Sequence, residues 1–363
     1  MVERLILLQG DQGHIADGIR DHTARIAEEL PRHRVAAARL RVRVGEGRGL
    51  AGSLRLWRSL RNLPESSAVL VQYSPFCFGR WGFAPWLPAY LWAIGRRRRG
   101  PAVAVMVHEP YVPMVSWRWT LMGLWQRLQL ALLRLSADVV FASIEPWASE
   151  FEALPPWRPV HHLPVGSNFP DGRSERELER RRLGLGEDTV VLCCLGRDHQ
   201  TWLGEEVVET ANAVARSRGS AVLVTLGAYA PDLSGLDPAV ETVQPGYLEP
   251  ERFAAALAAS DVFLAPVSDG VSTRRGSLMA ALQHGLPVVG TDGALTDPVL
   301  RRSTPALALA PVGDRDRFTA SAVRLAEDRE ARAAAAAAAR DLYEREFDWG
   351  VIAERLLAGL PQR

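Results

Sequence analysis

The chain has 363 residues, 47% of them hydrophobic and 23% charged. That is the composition of a globular protein long enough for two ordinary domains. A formal net charge of +1 excludes a nucleic-acid coat protein and an acidic solvating tail, so no nucleic-acid partner is expected and any anion site has to be local. The chain contains no lysine, so all 43 basic residues are arginine. A Schiff-base lysine and a Gly-Lys-Ser/Thr phosphate loop are thereby ruled out, and anions can be held only by guanidinium groups and backbone N–H.

In chain order, "MVERLILLQGDQG" offers only about six apolar residues before polar ones, too few for the core of a leader peptide. It suits a buried first strand. The glycine-spaced loop "GDQGHIADG" follows, and then "IRDHTARIAEEL", with Ile19, Ile26 and Leu30 at helical spacing. Apolar runs at 68–74, 102–110 and 137–143 are predicted strands, with helices between the later ones. After the charge-dense linker "GSNFPDGRSERELERRRLGLGEDT", the same alternation resumes: strands at "VVLCCLG", "AVLVTLG", "ETVQPGYL", "DVFLAP" and "LPVVGT", with helices between them. The alanine run "ARAAAAAAARDLYEREF" reads as a helix because Ala and Arg are strong helix formers. "DWGVIAERLLAGL" is one more amphipathic helix. Near-continuous apolar strands alternating with helices predict an α/β chain of two doubly wound domains with parallel sheets covered on both faces. Cys77, Cys193 and Cys194 are odd in number and lack disulfide or zinc spacing, which fits a reducing, cytoplasmic setting.

Open parallel sheets bind ligands beyond the carboxyl ends of their strands. The stretch "DVFLAPVSDGVSTRRGSLMAALQHGLPVVGTDG" places a strand, a turn and a short helix there, with Gly285 just past the helix end. Ser272, Thr273 and Ser277 are candidates to cap or line the helix start, and Arg274 and Arg275 sit beside it. Together with free N–H groups and the helix dipole they suit a phosphate or diphosphate. The bland alternative is an ordinary capped helix with solvated arginines. Asp269 is poorly placed for phosphate but well placed for hydroxyls, and sugar hydroxyls beside a phosphate describe a nucleotide-sugar.

At this stretch the chain resembles the retaining GT-B glycosyltransferases of the family-4 kind (glycosyl transferases group 1). The resemblance implies a GT-B fold, two Rossmann-like doubly wound domains facing a central cleft. The expected divisions are an acceptor-side domain over 1–168, a donor domain over 169–346 and a C-terminal helix over 347–363 crossing back to the first domain. It implies transfer of a sugar from a nucleotide-sugar, as substrate and not cofactor, to a glycan, lipid-linked glycan or small metabolite, with retention. Asp269 takes the position that holds donor-sugar hydroxyls, and Gly270, Val271, Ser272 and Thr273 take the turn that meets the diphosphate. Ser277 stands where the family usually has a glutamate gripping the ribose. Arg197 in "LGRDHQTW" matches an arginine followed five residues later by a lysine, but position 202 is Trp. Arg274 or Arg275 is the expected replacement for that missing charge.

In the first half, Gly13 and Asp17 of the glycine-spaced loop are implied donor-side and acceptor-side contacts. His108 in "VMVHEPY" matches a histidine facing the donor sugar, and Glu109 is an acceptor-side candidate. The catalytic set implied is therefore His108, Asp269 and Arg197.

The Asp-Arg-Asp at 314–316 reads as carboxylates at a helix start, His161-His162 lacks metal spacing, and no metal is expected. The Trp- and Arg-rich stretches 81–100 and 116–135 suit either buried helices with a basic loop or peripheral contact with an anionic membrane on the cytoplasmic face. Neither is a transmembrane helix by its pattern. Two other functions stay open on the same fold: a catalytically silent sugar-nucleotide-binding protein, and a nucleotide-sugar epimerase or hydrolase.

Overall fold

The computed structural model describes residues 2–11, 18–43, 57–97, 99–186, 188–195, 201–227 and 232–361. The chain forms two units, one of Met1–Pro164 with Trp349–Arg363 and one of Val165–Asp348.

The first unit is a six-stranded parallel sheet. Its strands are β1 Arg4–Asp11, β2 Ala36–Arg43, β3 Ser67–Tyr73, β4 Ala102–Val107, β5 Val139–Ala142 and β6 Val160–His162, ordered β2-β1-β3-β4-β5-β6. Every residue of β3, β4 and β5 is buried, as strands covered on both faces require. The edge strands β2 and β6 are half-exposed and escaped the reading by apolar runs. β2, "AAARLRVR", alternates small and apolar residues with arginine, the pattern of an edge with one wet side.

The last helix, Trp349–Gly359, packs Ile352 and Leu356 into one core with Leu5, Ile26 and Phe141. Gly359 is required there: a Cβ would come within 2.8 Å of the Phe141 ring.

The second unit repeats the plan with β7 Val191–Leu195, β8 Ala221–Leu226, β9 Val240–Val243, β10 Val262–Ala265, β11 Val288–Asp292 and β12 Leu307–Pro311, ordered β12-β11-β10-β7-β8-β9. β12 is again an edge strand that the sequence reading passed over. Cys193 and Cys194 face opposite cores on either side of β7, and all three cysteines are buried and unbonded to one another. Burial pushes the Cys193 thiol up to about 12, so it packs as an inert small apolar group. The alanine-rich segment is the helix Arg329–Glu346. Asp314 caps the helix Arg315–Glu327 by accepting the Arg317 N–H at 3.0 Å, which accounts for the Asp-Arg-Asp motif.

The strand order fixes where a ligand can reach each unit. In the second unit the chain runs β7, β8, β9 to one side and then returns to β10 on the other side of β7. The carboxyl ends of β7 and β10 are therefore the topological switch point, where neighbouring loops part.

Candidate functional site

The loop after β10 lies at that switch point. It is strapped to the stretch following β7 by an antiparallel bridge between Trp202 and Val267, by the Ser268 N–H donating to Thr201 O at 2.8 Å, and by the Leu203 N–H donating to Pro266 O at 3.2 Å. Arg197 itself lies outside the described residues, as do Gly13 and Asp17.

At the loop's centre Asp269 is bound by both arginines. Arg274 Nη2 donates to Oδ2 at 2.7 Å and Arg275 Nη2 to Oδ1 at 2.5 Å, with all three side chains under a fifth exposed. The arginines are thus neither solvated nor pointing only at a prospective anion. Asp269 and the two arginines together carry a formal charge of +1. A carboxylate has about four acceptor sites and the guanidinium groups take two, so Asp269 keeps capacity for hydroxyl groups.

The backbone of the turn is held from within. The Gly270 N–H donates to Val267 O, the Val271 N–H to Thr291 O, and the Thr273 N–H to the buried Asp297 Oδ2 at 2.7 Å. These three donors, expected to face a diphosphate, build the loop instead. Gly270 is needed for its conformation: φ is +87°, and a Cβ would sit 2.2 Å from Thr296 Oγ1 and 2.4 Å from Gly293 N. Gly293, after β11, allows the reciprocal approach, with a Cβ there 2.7 Å from Asp269 C and Gly270 N.

The expected side-chain caps of the helix Gly276–Gln283 are absent. Its N-cap position is Arg275, and among the described residues no side chain caps it and the fully buried Ser272 hydroxyl has no hydrogen-bond partner. Ser272 and Thr273 are fully buried, while the half-buried Ser277 sits in the first helical turn. Ser277 and Arg275 line, with Trp202, Thr201, Leu195 and Val271, a recess of about 30 Å³, room for about one water. Trp202 therefore stands beside Arg275 at the place where the lysine of the family pattern is missing. The buried indole Nε1 has no hydrogen-bond partner among the described residues.

The first unit has its own polar cluster at the carboxyl ends of β1, β3 and β4. His108 follows β4, is buried, and its Nε2 lies 2.6 Å from Gln72 Oε1, so the ring donates there and its tautomer is set. Its backbone is pinned by the His108 N–H donating to Tyr73 O and by the Ser143 hydroxyl donating to His108 O. His22, from the helix Gly18–Glu29, meets His108 edge-on at 4.8 Å and Trp349 at 5.2 Å between ring centres. Both His22 ring nitrogens, Gln72 Nε2 and Gln9 Oε1 are buried without a partner among the described residues. Glu109 is exposed, next to His108 but outside this cluster.

The sequence reading singled out His108 but missed Gln72, His22 and Asp297. An Asp before Pro298 is a helix-start signal that was available for Asp297. Gln72 and His22 join His108 only through the sheet register and helix packing.

Two parallel six-stranded sheets with flanking helices, one in each unit, are the GT-B fold of glycosyltransferases. Residues 189–328, within the second unit, match the family model described as Glycosyl transferases group 1. A curated relative from Corynebacterium glutamicum, "GDP-mannose-dependent monoacylated alpha-(1-6)-phosphatidylinositol monomannoside mannosyltransferase", is 29% identical over 214 residues, covering 54% of each chain. The match thus spans about half the length of that relative. Among solved structures, sucrose-phosphate synthase from Thermosynechococcus elongatus superposes with a TM-score of 0.70 at 15% identity, covering 98% of both chains. WaaG, a glycosyltransferase involved in lipopolysaccharide biosynthesis, gives 0.63 at 16% identity, covering 97% of this chain and 98% of that one. At such identities the likeness is one of fold.

The histidine pair makes stability depend on pH. Burial pushes His108 down from 6.5 to about 4, and burial together with the neighbouring His108 holds His22 well below its usual value. Both folded values lie below the unfolded ones, so between about pH 6.5 and 4 the unfolded chain binds more protons. The stabilisation is complete above pH 6.5 and is lost as pH falls through that window, by up to ~1.4 kcal/mol per pH unit for each histidine. Melting temperature should therefore drop between pH 7 and pH 5, and drop less steeply in His22→Met, which removes a titrating ring that makes no hydrogen bond. An equal slope in wild type and variant would refute this assignment.

Proposed function

We propose that the chain transfers a glycosyl group from a nucleotide-sugar to an acceptor hydroxyl, with retention at the anomeric carbon and with arginine rather than metal opposing the charge of the leaving group. The observation that carries this reading is the Asp269–Arg274–Arg275 cluster at the switch point of a group 1 domain. In the reaction, the bond from the anomeric carbon to the diphosphate oxygen breaks and the acceptor oxygen bonds to the same face of that carbon. The acceptor proton leaves to the nucleoside diphosphate. Asp269 fixes the two guanidinium groups in place beforehand, so their charge needs no reorganisation as the diphosphate departs. Its remaining acceptor sites suit the sugar hydroxyls. Ser277 offers the ribose a neutral hydrogen bond in place of a charged one.

The sequence resemblance adds Arg197 and Gly13 as donor contacts and Asp17 as an acceptor-side contact to this reading. The neutral His108, held by Gln72, suits a hydrogen bond to the sugar or acceptor, with Glu109 on the acceptor side.

The curated relative's printed name makes GDP-mannose the first donor to try and a lipid-borne sugar the first acceptor. A neighbouring solved structure from E. coli is described as bound to UDP-2-fluoro glucose, which makes UDP-sugars the second. A thermal-shift screen across GDP-, UDP-, ADP- and dTDP-sugars should show stabilisation by one base class, about 2.7 kcal/mol when the donor is at a hundred times its dissociation constant. No shift with any of them would overturn the reading. Donor consumed without acceptor would favour an epimerase or hydrolase, and binding without turnover a silent binder.

A lipid-borne acceptor has support from the surface of the first unit. The helix Trp117–Ser136 carries Trp117, Leu121, Leu124, Leu128, Leu132 and Leu135 in one stripe, each between 39% and 69% exposed. Their spacing of four, three, four, four and three residues keeps them on one face. Trp81, Phe83 and Trp92 are also exposed on this unit, with Arg96, Arg97 and Arg99 after the helix Trp86–Gly95. An apolar face of this extent marks an interaction surface, and arginine beside Trp suits an anionic bilayer. No helix among the described residues is long and apolar enough to cross a membrane. The protein should co-sediment with phosphatidylglycerol vesicles more than with phosphatidylcholine ones, and lose this in Leu124→Asp/Leu128→Asp. Absence of vesicle binding, or a concentration-dependent dimer abolished by the same substitutions, would point to a second copy instead.

A further inference from the structure

The second unit has another cavity, at the opposite end of its sheet from Asp269. It encloses about 570 Å³ against Val190, Asp261 and Pro287, the residues just before β7, β10 and β11. That volume lies in the usual range for small-molecule sites, but this is the amino end of a parallel sheet, away from the switch-point loops.

Its lining is unusually cationic. Arg173, Arg176, Arg218, Arg329 and Arg332 contribute, against the carboxylates of Asp188, Asp261 and Glu327. The pairings are uneven. Arg173 is held by Asp171, and Arg176 and Arg180 share Asp261. Arg218 and Arg332 instead donate to backbone oxygens: Arg218 to Ala326 and Asp188 at 3.1 and 3.2 Å, and Arg332 to Leu325 and Ala326 at 2.6 and 3.0 Å. Such bonds orient the guanidinium groups without cancelling their charge, and each uses only two of five N–H donors. Glu327 accepts the Ser217 hydroxyl, and Arg329, exposed at the rim, has no ion pair or hydrogen bond among the described residues.

The cations feel one another. Arg332 is pulled below the usual arginine value by burial first, then by Arg218, Arg329 and Arg176, with Asp261 opposing. His284 is not available to a ligand: its Nδ1 meets Ala280 O at 2.8 Å and its Nε2 accepts the Gly172 N–H at 3.0 Å.

We propose that this cavity is a second anion site, taking a small phosphate-bearing molecule whose phosphoryl oxygens are gripped by Arg218, Arg329 and Arg332. Phosphate matches the planar fork of arginine, and three such forks converge on one cavity with too few carboxylates to satisfy them. Nothing in the proposed transfer reaction uses this end of the sheet, so the site is one for an effector or anchor, separate from the donor.

Inorganic pyrophosphate, titrated by calorimetry into the full chain at 0.15 M salt, is a suitable probe, with hydrogen exchange to locate it. Three variants separate the outcomes: Arg329→Glu, Arg329→Lys, and Arg274→Ala/Arg275→Ala. Arg329 makes no bond among the described residues, and a Glu at the start of a helix is well tolerated, so the charge reversal should fold. Arg329→Glu should raise the pyrophosphate concentration needed for protection around 325–333 by at least about tenfold, and Arg329→Lys should keep most of that protection; the donor-loop double variant, which removes any separate binding at the donor loop, should keep the protection around 325–333 as in wild type. Pyrophosphate binding unaffected by Arg329→Glu, or lost only in the donor-loop variant, would overturn the proposal. The second result would leave the donor reading intact, since it would place the probe at the donor loop.

Discussion

The pairing of Asp269 with Arg274 and Arg275 is the interaction on which the candidate site depends. Two guanidinium groups on adjacent residues repel each other, and a half-buried loop cannot hold them in register without a carboxylate between them. Asp269 supplies it from the same turn, five and six residues earlier in sequence, so the cluster is complete within one loop. This arrangement fixes the position of both guanidinium groups. Fixed charge is what a leaving diphosphate needs, because an environment already oriented toward the developing charge is not penalised by reorganisation when the bond breaks.

The surrounding chain is built to hold that turn. The Gly270–Gly293 approach brings the loops after β10 and β11 into backbone contact that any side chain would block. Asp297, fully buried, answers the Thr273 N–H, and the Val165 N–H donates to Thr273 O at 3.0 Å, tying the turn to the start of the second unit. The buried donors of Gly270, Val271 and Thr273 are consumed in this way. In the proposed function the turn therefore acts on the donor through the arginines and the first helical turn more than through its own amides. Rigidity of the loop and the chemistry of its side chains are separable here: glycines and Asp297 provide the first, Asp269 and the arginines the second.

Much of this was legible in the sequence because it is local. Buried central strands announce themselves as unbroken apolar runs, and the loop after β10 carries Asp269, Gly270 and both arginines within seven residues. The edge strands β2 and β6 did not show, since one wet side breaks the apolar run of β2 and β6 is three residues long, whereas β12, "LALAP", is an unbroken apolar run that the reading passed over. Ser272 and Thr273 misled for a physical reason: hydroxyls before a helix usually cap it, but these two residues are fully buried ahead of an uncapped helix, and the Thr273 N–H is engaged by Asp297. The first unit's cluster was half visible. His108 after a strand is a local signal, whereas Gln72 and His22 reach it from residues 36 and 86 positions away, through register and packing that no short window contains.

The account's central claim is that Arg274 and Arg275, set by Asp269, carry the charge that binds the donor diphosphate in a chain without lysine. Donor affinity of Arg274→Ala/Arg275→Ala, measured by equilibrium binding of the nucleotide-sugar that stabilises the wild-type protein most, tests this directly. The account predicts a weakening of at least about a hundredfold, since two charged hydrogen-bonding groups worth roughly 1.5–3 kcal/mol each are removed. Affinity equal to wild type, in a variant that still melts cooperatively, would contradict it.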